Sequence, residues 1–174
     1  MTSYSDRNSR TDKNLPVWDV VPVEQMAGED EEDTALLRLM LNDARNYILA
    51  FAWCDSILES YFAAGVGKIL AIFLFKISTT NPEVPPWEWV VVGDIPSAYL
   101  PLEDCPSSKA VFHTYLEGMG RWVALAREGR EAGPADGIPP VNVPATPEWA
   151  EDLDGRLRLL KKLLQPHFED GTEK

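Results

Sequence analysis

The chain has 174 residues, 45% of them hydrophobic, which suffices for one buried core and is short for two domains. Its net charge of −12 comes from 28 acidic and 16 basic residues, so the field of the whole molecule repels phosphate backbones and nucleic acid is not an expected partner. The longest apolar run, residues 71–75, is far shorter than the roughly 20 residues that span a membrane, so no membrane association is expected.

The N-terminal region divides into two parts. Residues 1–14 are polar and lack an apolar period, which predicts disorder, and they contain no apolar leader segment, which predicts a cytoplasmic protein with reduced cysteines. Residues 15–26 are rich in valine but include Pro16 and Pro22, which favours an extended edge segment over a central strand. We expect one domain over 15–165, followed by a frayed C-terminus over 166–174.

A long helix is predicted over 33–63, after the acidic run at 28–33. No glycine or proline interrupts this stretch, and Gly65 and Gly67 follow it. Carboxylates before a helix complement the positive end of its dipole. Apolar residues recur there at helical spacing: Leu37, Leu41, Ala44, Ile48, Phe51, Cys54, Leu58 and Phe62.

The middle of the chain predicts a small antiparallel sheet. Residues 68–78 are so uniformly apolar that we expect a central strand, and a turn containing Asn-Pro and Pro-Pro separates them from a second strand at 87–94. Residues 97–102 are predicted to add a third short strand. Short connections favour antiparallel pairing of these strands.

Two helices are predicted after the sheet. The first runs over about 107–129, and the second opens at Thr146 and Pro147, a typical N-cap and first helical residue, and stops at Pro166. A loop rich in proline and glycine joins them. The expected fold class is therefore α+β, with about three antiparallel strands packed against a long N-terminal helix and two C-terminal helices.

Two segments, WVVVGDIPSAYL at 89–100 and IPPVNVPATPEWA at 138–150, carry a resemblance to known sequences. Together they resemble an uncharacterised family of small bacterial cytosolic proteins with a similar order of elements. The resemblance implies a bacterial, cytosolic, self-contained domain, and it brings no activity or site residue with it.

Candidate chemistry is sparse. On the predicted helix, Asp55 and Glu59 lie four residues apart, a spacing that lets two carboxylates approach one point for acid–base work, although a solvated helix face is the favoured interpretation. Glu88 and Asp94 would join them if the sheet packed on that helix. Cys105, at a helix start, is the more plausible reactive thiol of the two cysteines, although a structural role is the favoured interpretation for it as well. No histidine or cysteine has metal-ligand spacing, so no metal and no cofactor is expected.

The charge pattern gives the leading functional hypothesis. No basic residue occurs between Lys76 and Lys109, so acidic and aromatic side chains in this window are expected to form a negative surface. Such a surface suits a basic protein partner such as a toxin or nuclease, because charge accelerates association and aromatic residues contribute binding energy. The predicted binding residues are Glu83, Trp87, Glu88, Asp94, Tyr99, Glu103 and Asp104.

The hypothesis is thus a non-enzymatic binding module, similar in action to an immunity protein or antitoxin. Two alternatives stay open at this point. One is a small carboxylate-based hydrolase or ligand-binding enzyme that uses Asp55 and Glu59. The other is an adaptor subunit of a larger bacterial assembly.

Overall fold

A computed structural model describes residues 19–133, 138, 141 and 143–172. In chain order they form the strand β1 and a 3-10 turn, helix α1, strands β2 to β5, and helices α2 and α3. The bounds are Val21–Pro22 for β1, Val23–Gln25 for the turn, Glu31–Leu49 for α1, Cys54–Val66 for β2, Leu70–Thr79 for β3, Trp87–Gly93 for β4, Ala98–Pro101 for β5, Ser108–Arg127 for α2 and Pro147–Thr172 for α3.

Helix α1 begins where the acidic run predicts it. The carboxylate of Asp30 caps the helix by accepting a hydrogen bond from the backbone N–H of Asp33 at 2.8 Å. The carboxylate of Asp33 in turn accepts from the backbone N–H of Glu29 at 3.0 Å and of Gly67 at 2.8 Å. The Asp33 side chain therefore connects the first turn of α1 both to the residue before the helix and to the turn between β2 and β3.

The predicted continuation of the first helix to residue 63 is wrong. Helix α1 ends at Leu49, and the next 13-residue element, Cys54–Val66, is a strand. Three residues of β2, Asp55, Leu58 and Ala63, have no partner on β3 because the register shifts around them. These β-bulges break the two-residue alternation of a strand, so the buried positions recur at spacings that mimic a helix.

The described strands form one antiparallel sheet in the order β1-β2-β3-β4-β5. The predicted fold class, α+β, is confirmed, with five strands in place of three. β1 corresponds to the predicted edge segment, and it pairs with β2 only at Phe62 and Tyr61. The central position of β3 is confirmed as well, since residues 70–75 are fully buried.

Helices cover both faces of the sheet. One core lies between the sheet and α1 and includes Leu37, Phe73 and Val90. The other lies between the sheet and the C-terminal helices and includes Trp89 and Leu160. Because side chains alternate along a strand, neighbouring residues of β4 enter different cores.

Helix α3 continues beyond the predicted stop at Pro166. It runs to Thr172 with Pro166 inside it. The ring of Phe168 is buried and stacks on Phe112 of α2, with centroids 4.7 Å apart. This contact buries apolar surface, which offsets the backbone hydrogen bond that proline removes from a helix. The predicted disorder of residues 1–14 lies outside the described residues, and the single-domain assignment of 15–165 stays a prediction.

Candidate functional site

Glu88 is the one buried carboxylate among the described residues. It lies near the start of β4 and is only 1% exposed, and neither of its carboxylate oxygens has a hydrogen-bond partner in the described part of the chain. An ionised carboxylate is rarely buried unless a cation or several hydrogen bonds compensate for its lost hydration. Glu88 therefore does not lie on the exposed negative surface expected for residues 77–108, because helices cover β4 on both faces.

The groups around Glu88 are acidic or weakly polar. Burial above all, and then the negative charges of Asp104 and Glu103, raise the pKa of Glu88 from 4.5 to about 8. Glu88 shares a face of the sheet with Tyr99 of β5, and both the Tyr99 and the Cys54 pKa are raised, first by burial and then by nearby negative charge that includes Glu88. At neutral pH the protonated form of Glu88 therefore predominates.

An aromatic cluster covers this face at the end of α1. Phe51 and Trp53, in the connection from α1 to β2, stack with centroids 5.0 Å apart. Tyr99 packs edge-on against both rings at 5.0 and 5.2 Å, and Tyr47 of α1 packs edge-on against Phe51 at 5.3 Å. Burial first, and then the nearby Tyr99, raise the pKa of Tyr47 to about 12. The cluster lies on the same face of the sheet as Glu88.

The two tryptophans of β4 lie on the opposite face. Trp89 is fully buried and its indole N–H donates to the carbonyl oxygen of Cys105 at 2.7 Å, so Trp89 is a core residue. Trp87 is half-buried, and the ammonium of Lys76 lies 5.8 Å from its ring centroid. Lys76 also pairs with Glu59 at 3.8 Å. Trp87 and Glu88 thus face different sides of the sheet and cannot belong to one flat surface.

The structure divides the predicted partner-binding residues. Glu83, Glu103 and Asp104 are exposed, and they lie at the end of the sheet where β4 begins and β5 ends. Asp94 follows the other end of β4 and pairs with Arg156 of α3. Because a strand rises about 3.4 Å per residue, Asp94 lies about 20 Å from Glu88 along β4.

The acidic side chains at the end of the sheet where β4 begins form one group. We call this group the acidic end of the sheet, and it consists of Asp55, Glu83, Glu103 and Asp104 with the buried Glu88.

Asp55 and Glu59 lie on strand β2, where four residues span about 13 Å at about 3.3 Å per residue, so they do not approach one point as predicted for a helix. Both line a groove of about 670 Å³ along the outer edge of β2. Glu59 accepts a hydrogen bond from the hydroxyl of Tyr61 at 2.6 Å and pairs with Lys76, whereas Asp55 is exposed. Glu88 and Asp94, which were expected to join them, lie on another strand and at two different ends of it.

The burial of Cys105 agrees with the structural role favoured for it and not with a reactive thiol. Cys105 is fully buried, and burial raises the pKa of its thiol, whereas a reactive thiol needs a lowered pKa and access to solvent. Both cysteines are free and buried. Among the described residues, no group of three or more histidine, cysteine or acidic side chains is arranged to hold a metal ion.

Comparison of the chain with protein-family models, with curated proteins and with solved structures finds no match. The resemblance to a bacterial family therefore stays a prediction. Within the described part of the chain, no helix combines the length and apolar character that crossing a membrane requires.

Proposed function

We propose that the chain is a non-enzymatic module that binds a basic protein partner through the acidic end of the sheet. The single observation that supports this most is Glu88, a carboxyl group buried without a hydrogen-bond partner in the described residues. A buried carboxyl group without a counter-ion costs stability, and the usual compensation is a cation or a hydrogen-bond donor. The segment 77–108 around it contains no basic residue. A partner would supply the cation.

The surroundings of Glu88 suit an arginine or lysine side chain. Exposed Glu103 and Asp104 attract a cation from solution, which raises the rate of association at low salt. Half-buried Phe51, Trp53 and Tyr99 offer aromatic rings against which the aliphatic stem of such a side chain can pack. A cation that reaches Glu88 lowers its pKa and makes it ionise.

The partner class follows from the charge. Proteins that bind nucleic acid present basic surfaces to phosphate groups. An acidic protein can occupy such a surface with carboxylates in place of phosphates and so block it. A nuclease or another basic toxin fits this description, and the module would then act as an immunity protein or antitoxin does.

The test uses the whole chain as bait in an extract of the cells that make it. We expect stoichiometric recovery of one basic protein at low salt, with weaker recovery as salt rises. The double variant that combines Glu103→Lys with Asp104→Lys should lose that protein. A control with the same change in charge, Glu117→Lys with Glu131→Lys, alters exposed acids on and after α2 and should retain it.

Titration calorimetry then separates the role of Glu88 from general acidity. At pH 7, binding of the recovered protein should release close to one proton, measured from the dependence of the heat on the ionisation enthalpy of the buffer. Glu88→Gln should abolish the release. Retention of the partner by the Glu103/Asp104 variant, or identical proton release by Glu88→Gln, would contradict the proposal.

A further inference from the structure

The outer edge of β2 is open over most of its length. β1 pairs with β2 only at Tyr61 and Phe62, so within the described residues the stretch 54–60 has a strand neighbour on one side alone, β3. The groove of about 670 Å³ runs along this stretch. Its other wall consists of Arg45 and Leu49 of α1 together with Pro22 and Glu24. We name it the edge groove.

The bulges of β2 determine what the edge groove presents. Asp55 and Leu58, two of the three residues of β2 without a partner on β3, line the groove. A bulge re-aims the side chain of its extra residue. Leu58 is 57% exposed, unusually open for a leucine within a sheet, and Leu49 beside it is 42% exposed. The groove therefore offers an apolar surface next to an exposed carboxylate.

The charge of the edge groove is negative. Glu24, Asp55 and Glu59 line it together with Arg45, whose guanidinium lies 3.4 Å from the hydroxyl of Ser60, and Glu59 also pairs with Lys76, so three acids face two cations. A second copy of the chain would bring the same three acids against them, and like charges brought together across an interface oppose association. A positively charged segment is attracted by the same field.

We propose that the edge groove docks an extended segment of a basic protein in which lysine or arginine alternates with apolar residues. The inference rests on the proposed function, because the docked segment belongs to the same basic partner that binds the acidic end of the sheet. Alternation places apolar side chains on Leu58 and Leu49 and cations near Asp55 and Glu24. An extended segment of about seven residues matches the open stretch in length, since both strands rise about 3.3 Å per residue. Asp55 belongs to both the edge groove and the acidic end, so one partner can engage both.

The test uses a synthetic peptide of about seven residues in which lysine and leucine alternate, a length that matches the open stretch, and a counterpart with glutamate in place of lysine. With the ¹⁵N-labelled full chain, the lysine peptide should shift the backbone amides of residues 54–61. Leu58→Lys and Asp55→Lys should each weaken its binding about tenfold, which corresponds to about 1.4 kcal/mol. Leu39→Lys and Asp43→Lys, at exposed positions of α1, are the matched controls and should change it less than about twofold, as expected for surface positions away from an interface.

Each alternative result is decisive. Amide shifts confined to residues 80–86 and 102–106 would overturn the edge groove as a docking site while leaving the acidic end intact. Equal binding of the glutamate peptide, no binding of the lysine peptide, or equal loss in the α1 controls would also overturn it. Self-association in sedimentation experiments that Leu58→Lys abolishes would identify a second copy as the occupant. None of these results affects capture of the partner by the acidic end, which the Glu103/Asp104 variant tests separately.

Discussion

At the level of single residues, the burial of Glu88 couples the stability of the fold to pH. The pKa of this carboxyl group is about 8 in the folded chain, against an ordinary value of 4.5. Between these two values the folded state holds a proton that the unfolded state has released. The free energy of unfolding therefore falls as pH rises through this window, by up to about 1.4 kcal/mol per pH unit, and levels off above pH 8.

Glu88→Gln removes the charge and keeps the shape of the side chain. We expect the unfolding free energy of the natural chain to decrease relative to that of Glu88→Gln between pH 5 and pH 8, by roughly 3 kcal/mol. Urea denaturation at several pH values measures the difference. Glu83→Gln, which neutralises an exposed carboxylate in the loop before β4, serves as the control and should follow the natural chain. Parallel profiles for the natural chain and Glu88→Gln would show that the carboxyl group is not desolvated.

The sequence indicated the acidic character of this region but not the burial of Glu88. The base-free window contains the carboxylates of the acidic end apart from Asp55, and charge can be read directly from residue types. Burial depends on which strands flank β4 and on what covers them. A signal was present: Glu88 alternates with Trp87 and Trp89 and is followed by three valines, as in a strand covered on both faces. The opposed faces of Trp87 and Glu88 follow from the same alternation.

At the level of elements, helix limits were predictable where capping residues mark them. The last helix begins at Pro147, as predicted, and α1 begins at Glu31, inside the acidic run that was expected to precede it. The exit of α1 has no glycine or proline, and its cap, Ala50, is a good helix former, so local sequence gave no reason to stop. What ends the helix there is long-range pairing of β2 with β3, which no local pattern encodes. In addition, the β-bulges of β2 interrupt the two-residue alternation by which a strand is recognised in a sequence.

The capping network of α1 provides a prediction at this scale. Asp33→Ala removes two hydrogen bonds that the carboxylate accepts from backbone N–H groups, and one of them joins α1 to the β2–β3 turn. We expect a loss of about 2 to 3 kcal/mol in unfolding free energy, since hydrogen bonds to charged groups are among the stronger ones. Denaturant titration compares it with Glu32→Ala, an exposed neighbour in the same turn, which should change stability by less than about 0.5 kcal/mol. If the two variants lose the same unfolding free energy, the loss comes from removing a negative charge at the start of α1 and not from the hydrogen bonds of Asp33.

At the level of the whole molecule, the sheet is shared by two cores. β3 contributes Phe73 to the core under α1 and Leu74 to the core under α2 and α3. If the sheet unfolds, the apolar side chains of both cores become exposed to water. This arrangement favours a single cooperative folding unit and makes the predicted single domain testable.

We expect thermal and urea unfolding to give one transition, with tryptophan fluorescence and far-UV circular dichroism coinciding. Leu37→Ala opens a cavity under α1, and Leu160→Ala opens one under α3, where both leucines are almost fully buried. Each should destabilise the chain by about 2 to 5 kcal/mol and shift both signals together. Because both cores share the sheet, the loss of stability in either core destabilises the whole domain. The unfolding curves of the two variants should therefore each show one transition of the same form. Two separate transitions, or a variant that moves one signal and leaves the other unchanged, would show that the faces of the sheet unfold independently.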